Sequence, residues 1–224
     1  MIDLLFFYFC IMLRLSILLV FLLEFSSPCV SQTDNVLWSS IQLKKKLDAK
    51  WSLQIEPIIR FDQDFGGYQN SSLDISLRRR LNAAWHVQLL TRTWFVPGGP
   101  DREFIWLDIA HKMELSSLPI VISNRARYHG ALNLGERLDI DFFRYLIGIA
   151  PSTDWKVKPT FAFEHWFKLE DAVQGIRNRW IPGLRYQISK TIGLTAAVRI
   201  QGVTSGEGVN GTVNLWVAAL SYNL

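Results

Sequence analysis

The chain has 224 residues, 49% hydrophobic, 20% charged and 13% aromatic, with a net charge of +4. That size fits one domain, and charges of both signs run along its whole length rather than forming the basic patch of a nucleic-acid binder. The two cysteines, Cys10 and Cys29, both lie in the N-terminal apolar region, so no disulfide framework, zinc cluster or thiol nucleophile is expected beyond it.

Residues 1–31 read as a secretory signal peptide helix. Met12-Leu13-Arg14 is a short basic start, 15–23 is the apolar core, and Cys29-Val30-Ser31 is a small-residue cleavage site before Gln32. The true start is either Met1 or Met12. Two alternatives stay open. A retained anchor would place Arg14 in mid-span. Lipidation of Cys29 would have to tolerate Ser26 and Pro28, where such signals carry Leu and a small residue. No later window stays apolar for 18 residues, so no internal transmembrane helix is expected.

From Val36 onward, apolar residues recur at period two, the spacing of a β-strand with one apolar face. Leu37, Ile41 and Leu43 oppose Trp38, Gln42 and Lys44. After a turn at 47–50, Trp51, Leu53, Ile55, Ile59 and Phe61 oppose Gln54, Glu56 and Arg60. A loop is expected over 63–70. Leu73, Ile75 and Leu77 then oppose Asp74, Arg78 and Arg80, and Trp85, Val87 and Leu89 oppose His86, Arg92 and Trp94. Pro97-Gly98-Gly99-Pro100 breaks the chain. Beyond it, Ile105, Leu107 and Ile109 oppose Asp108, Lys112 and Glu114. Ile122, Ala126 and Tyr128 oppose Ser123, Arg125, Arg127 and His129.

The second half continues the pattern. Phe143, Tyr145 and Ile147 oppose Arg144. Trp155, Val157, Phe161 and Phe163 oppose Lys156, Lys158, Glu164 and Trp166. Trp180, Leu184 and Tyr186 oppose Arg177, Arg179 and Arg185, and Leu194, Ala196 and Val198 oppose Arg199. The last stretch, 211–224, places Trp216, Ala218, Leu220, Tyr222 and Leu224 on one face.

The segments are longer than ordinary soluble strands, and short turns alternate with longer loops. Together these predict an all-β, antiparallel up-and-down transmembrane β-barrel of about 10–12 strands over residues 32–224. Eleven segments are counted. Since bacterial barrels normally have an even number, either the first (37–45) is not a membrane strand or a partner precedes it. Trp51, Trp85, Trp155, Trp216 and Tyr222 are expected at a membrane interface, where indole and phenol rings sit. The expected partners are outer-membrane lipid and the barrel-assembly machinery, reached through the C-terminal strand. The expected location is the outer membrane, and oligomeric state stays open.

The opposite face is densely charged. It carries Glu56, Arg60, Asp74, Arg78, Arg80, Arg92, Arg125, Arg127, Arg144, Glu164, Arg179, Arg185 and Arg199, with Asp108 and Arg177 among others. Two readings stay open: a salt-bridged filling, or an anion-attracting lumen or ligand pocket. Catalytic patterns are weak. His129 and Ser123 share a face but lie six residues apart. His165 and His111 fall on the lipid face, and His86 has no carboxylate neighbour in its own strand. Asp139 and Asp141 are poor evidence of a metal site. No catalytic, cofactor or metal residues are assigned.

Several short pieces, taken in order, resemble a family of bacterial outer-membrane proteins known as domain of unknown function 2490. They are Trp38, Trp51 with Glu56 and Arg60, Arg125-x-Arg127, Phe163-Glu164, and Arg179 followed by Gly183-Leu184-x-Tyr186. The resemblance covers the chain from Val36 to Leu224. It implies a signal peptide and an outer-membrane barrel, and no activity. Three functions remain in view: a barrel of structural, binding or narrow-pore type, a lipid-modifying outer-membrane enzyme, and a soluble periplasmic lipid-binding barrel with its apolar faces turned inward.

Overall fold

The computed structural model describes residues 33–62, 66–115, 117–131, 142–168, 174–204 and 210–224. The expected signal peptide, Asp139 and Asp141 lie outside the described residues.

Eleven strands form one closed barrel: β1 (Thr33–Lys46), β2 (Trp51–Asp62), β3 (Gly67–Arg80), β4 (Trp85–Phe95), β5 (Arg102–Leu115), β6 (Ile120–Ala131), β7 (Phe142–Pro151), β8 (Val157–Lys168), β9 (Gln174–Gln187), β10 (Ile192–Thr204) and β11 (Asn210–Asn223). Consecutive strands pair antiparallel, and β1 closes on β11 in parallel, from Thr33 opposite Thr212 to Lys44 opposite Asn223. The expectation of an even count is thereby corrected. The first segment is a full barrel strand, and it needs no further partner. A short turn joins it to β2, so it runs in the same direction as β11 and finishes at the same rim. Closure leaves no free sheet edge.

Three of the turns at this rim share a local device. Asp48 Oδ1 accepts from the backbone N–H groups of Lys50 and Trp51 at 2.6 and 2.7 Å. Asn82 Oδ1 accepts from those of Ala84 and Trp85 at 2.9 and 2.8 Å. Ser189 Oγ accepts from Thr191 and Ile192 at 3.2 and 3.1 Å. In each, a short polar side chain mimics a backbone turn and starts the next strand. At the other rim, β3 begins at Gly67, so the ladder absorbs residues expected to form the 63–70 loop. Gly98 has a φ of +71°, a left-handed value that favours glycine, within the Pro-Gly-Gly-Pro break.

The two faces segregate as the alternation predicts. Ile41, Ile55, Ile75, Leu89, Leu107, Ile147, Leu184 and Leu220 point outward and are exposed, while Arg60, Asp74, Asp108, Arg144 and Glu164 point inward and are buried. The inverted arrangement of a lipid carrier, with its apolar face inside, is therefore not the one this chain adopts. Some inward positions are tightly packed. A Cβ at Gly183 would lie 2.9 Å from the Ala197 Cβ and 3.0 Å from the Ala196 carbonyl oxygen.

Candidate functional site

A wall of eleven strands encloses more space than eight, whose interior side chains just fill. Only long side chains reach one another across it. Two hairpins build the same clamp. Asp74 on β3 stands opposite Arg92 on β4, and Asp108 on β5 stands opposite Arg127 on β6. In each pair the arginine donates from both Nε and Nη2 to the two carboxylate oxygens, all four contacts being 2.6 Å. This side-on fork is the strong, charge-assisted geometry of guanidinium with carboxylate.

Glu164 on β8 is a hub. It accepts from Arg125 at 3.0 Å, from Arg144 at 2.8 and 2.9 Å, from Arg179 at 3.4 Å and from the Trp166 indole at 2.9 Å. It is 1% exposed, so those donors take the place of water around its charge.

Indole rings alternate with the guanidiniums. Arg60 lies over Trp38 at 4.3 Å and over Trp94 at 4.6 Å, and Arg199 lies over Trp38 at 4.9 Å. Trp106 carries Arg92 and Arg127, both at 4.4 Å. Trp166 carries Arg144 at 4.0 Å and Arg179 at 4.5 Å. Cation–π attraction offsets part of the cost of holding guanidiniums away from bulk water. The belt draws on every strand from β1 to β10, β3 contributing Asp74. It borders a luminal cavity of about 1250 Å³. Register shifts fall directly after Arg60 and after Trp166, and such irregularities re-aim side chains.

Residues 35–211 match the family model described as protein of unknown function (DUF2490). The chain belongs to that family. No curated protein matches it. The match spans β1 to β10 and ends as β11 begins.

Of the expected inward charges in this DUF2490 member, Arg60, Asp74, Arg92, Arg125, Arg127, Arg144, Glu164, Arg179 and Arg199 come together in the belt, with Asp108 and Arg177. Others stand outside it. Glu56 accepts from the amides of Gln42 and Gln54 at 3.0 and 3.2 Å, and Arg78 donates to Gln88 at 3.0 and 2.8 Å. Arg80 reaches the turn, donating to the Ala49 carbonyl at 2.9 Å, and Arg185 is exposed on the lower part of β9. Lys112 and Glu114 pair with each other at 3.2 Å near the short-turn end of β5.

Among the aromatics, Trp51 and Trp85 open β2 and β4 at the short-turn rim. Trp155 lies just before β8, Tyr222 near the end of β11, and Trp216 in the middle of β11. His129 faces inward, beside the rings of Phe104, Trp106 and Phe142, and among the described residues neither ring nitrogen has a hydrogen-bond partner. His111 stacks on Trp85 on the outer face, and His165 contacts Asn178.

The alternation places Trp38, Trp94 and Trp166 on the charged face but assigns them no role, and it leaves Trp106 unplaced. The available signal was an indole at an inward position among arginines. An inward tryptophan is out of place in a purely ionic filling and in place beside guanidiniums that need a face to stack on.

Proposed function

We propose that this chain is an integral outer-membrane β-barrel whose lumen is narrowed by the Arg–Trp belt. It serves a binding or structural role rather than that of a wide pore. The observation that carries this reading is the division of faces: exposed Ile, Leu and aromatic side chains outside every hairpin, and buried arginines and carboxylates inside. In water the outer face would be a continuous apolar surface far larger than soluble monomers expose. In a bilayer it is the lipid-facing band of a barrel. Strands of 10 to 14 residues meet or exceed the roughly 9–11 needed for a tilted crossing. Tryptophans at the short-turn rim fit an interfacial aromatic belt. The segment 1–31 would direct export, lipid would surround the barrel, and the assembly machinery would read the C-terminal strand.

Cell fractionation tests the location. The protein is expected in the outer-membrane fraction, extractable with detergent only, and recovery in the soluble periplasm would overturn the reading. Planar-bilayer recording tests the narrowed lumen. Large ohmic conductance steps from the folded barrel would show a wide pore and reject a binding or structural role.

A further inference from the structure

The belt is short of acceptors. Among the described residues its eight guanidiniums (Arg60, Arg92, Arg125, Arg127, Arg144, Arg177, Arg179 and Arg199) meet only Asp74, Asp108 and Glu164 as ion-pair partners. Glu56 is held by two glutamine amides.

Arg60 shows the shortage most clearly. It is 2% exposed, and its Nη1 donates to Asn70 at 2.8 Å. Among the described residues its Nε and Nη2 have no partner. That is the same edge by which Arg92 and Arg127 each grip a carboxylate at 2.6 Å. Arg60 lies over two rings, Trp38 and Trp94, and among the described residues the buried indole N–H of each has no acceptor. Arg199 stacks on Trp38 too, with no carboxylate at ion-pair distance among the described residues. Arg60 feels the positive charges of Arg92, Arg179 and Arg199, whereas Asp74, the carboxylate in its reach, is already clamped by Arg92. Arg199 feels the negative charges of Glu164 and Glu56 and the positive charges of Arg92 and Arg127, but Glu164 is already shared by Arg125, Arg144 and Arg179 and Glu56 is held by its two amides.

Donors left without acceptors, carried by stacked side chains that line one cavity and in excess of positive charge, have one natural complement. We propose that the lumen binds a phosphoryl oxyanion between Arg60, Arg199 and the indole edges of Trp38 and Trp94. An oxyanion with two acceptor oxygens satisfies a free guanidinium fork. The excess of guanidiniums over carboxylates favours a multiply charged phosphate, at about −1.5 to −2 near neutral pH, over a single carboxylate. The cavity is larger than the roughly 300–1,000 Å³ of common small-ligand pockets, so it takes a phosphate group carrying a substituent as readily as the bare ion. The inference deepens the binding role proposed above and does not depend on which membrane holds the barrel.

The test uses the full barrel folded in a maltoside detergent, which is free of phosphate, with tryptophan emission as readout. Titration with inorganic phosphate is expected to give a saturable change. The midpoint should rise at least tenfold in Arg60→Gln and in Arg199→Gln, and stay unchanged in Arg80→Gln at the rim. Acetate at equal ionic strength is expected to bind at least tenfold more weakly, and equal binding would overturn the phosphoryl assignment. Response to phosphatidic acid in the micelle, but not to the free ion, would assign the phosphate to a lipid headgroup. Should Arg60→Gln fail to fold, Arg199→Gln decides. A folded wild-type barrel without a saturable response to either probe, or folded variants that bind as wild type does, would overturn the proposal. A phosphate-binding protein found soluble in the periplasm would refute the membrane reading alone.

Discussion

Asp108 on β5 and Arg127 on β6 face each other directly across a hairpin, and both carboxylate oxygens take a 2.6 Å hydrogen bond from the guanidinium. Their side chains are 4% and 8% exposed. One strand pair thus supplies both halves of the clamp, and Trp106 stacks against the arginine from the side.

Removing one half leaves the other charge buried. Asp108→Ala is expected to destabilise the folded barrel by about 3–5 kcal/mol, the usual cost of breaking a buried ion pair. The double variant Asp108→Leu/Arg127→Met should recover most of that loss, because it removes the orphaned charge as well. Urea unfolding in detergent, followed by far-UV circular dichroism, measures both. Equal instability of the single and double variants would contradict this account.

Glu164 serves three arginines, and Glu56 serves two glutamines. Glu164→Gln keeps the size and shape of the side chain but leaves Arg125, Arg144 and Arg179 without their shared counter-charge. Its cost should match or exceed that of Asp108→Ala, whereas Glu56→Gln should cost about 1 kcal/mol, the scale of an ordinary hydrogen bond. The temperature at which each variant loses its compact migration on a denaturing gel ranks them.

The parallel seam makes a register prediction. Ser39 stands opposite Ala218 on β11. A Ser39→Cys/Ala218→Cys pair in the processed chain is expected to crosslink on mild oxidation, and a Ser39→Cys/Leu220→Cys pair, two residues out of register, is not. Gel mobility with and without reductant reads the result. Crosslinking of neither pair, or of the second alone, would reject the observed closure.

The first turn carries a pH signature. Asp48 Oδ1 accepts two backbone N–H groups, which hold its carboxyl below the usual carboxylate range. A carboxylate depressed in the folded state stabilises it above the unfolded value of about 3.9. That contribution fades as pH falls through the lower folded value. The stability difference between wild type and Asp48→Asn should therefore shrink in acid below about pH 4, and unfolding midpoints measured from neutral pH downward give the trend. A difference that grows in acid would have the wrong sign.

Alternation at period two carries much of the fold. It divides Leu107 from Asp108 and Leu184 from Arg185 without any knowledge of neighbours, because successive side chains of a strand must point to opposite faces. The strand starts at Trp51 and Trp85 were readable for the same reason. Their turns repeat an apolar residue, then Asp or Asn, then two residues, then Trp, a rule that is local to the sequence. The direction of β1 was also implicit in the turn order. The general preference for even strand numbers says nothing about a chain able to close through a parallel seam.

The sequence by itself determined which residues face inward and that arginine outnumbers acid among them, since both follow from local backbone geometry and composition. Only the tertiary structure decided which charges meet. Asp74 and Arg92 are 18 residues apart, and Arg125 and Glu164 are 39 apart. Such pairs depend on strand register and on the diameter of the closed wall, which no local pattern encodes. The same closure brought Arg60 and Arg199 to one ring, that of Trp38. It left the Arg60 fork without a carboxylate, because side-chain reach across the lumen, rather than spacing along the chain, sets who is within bonding distance.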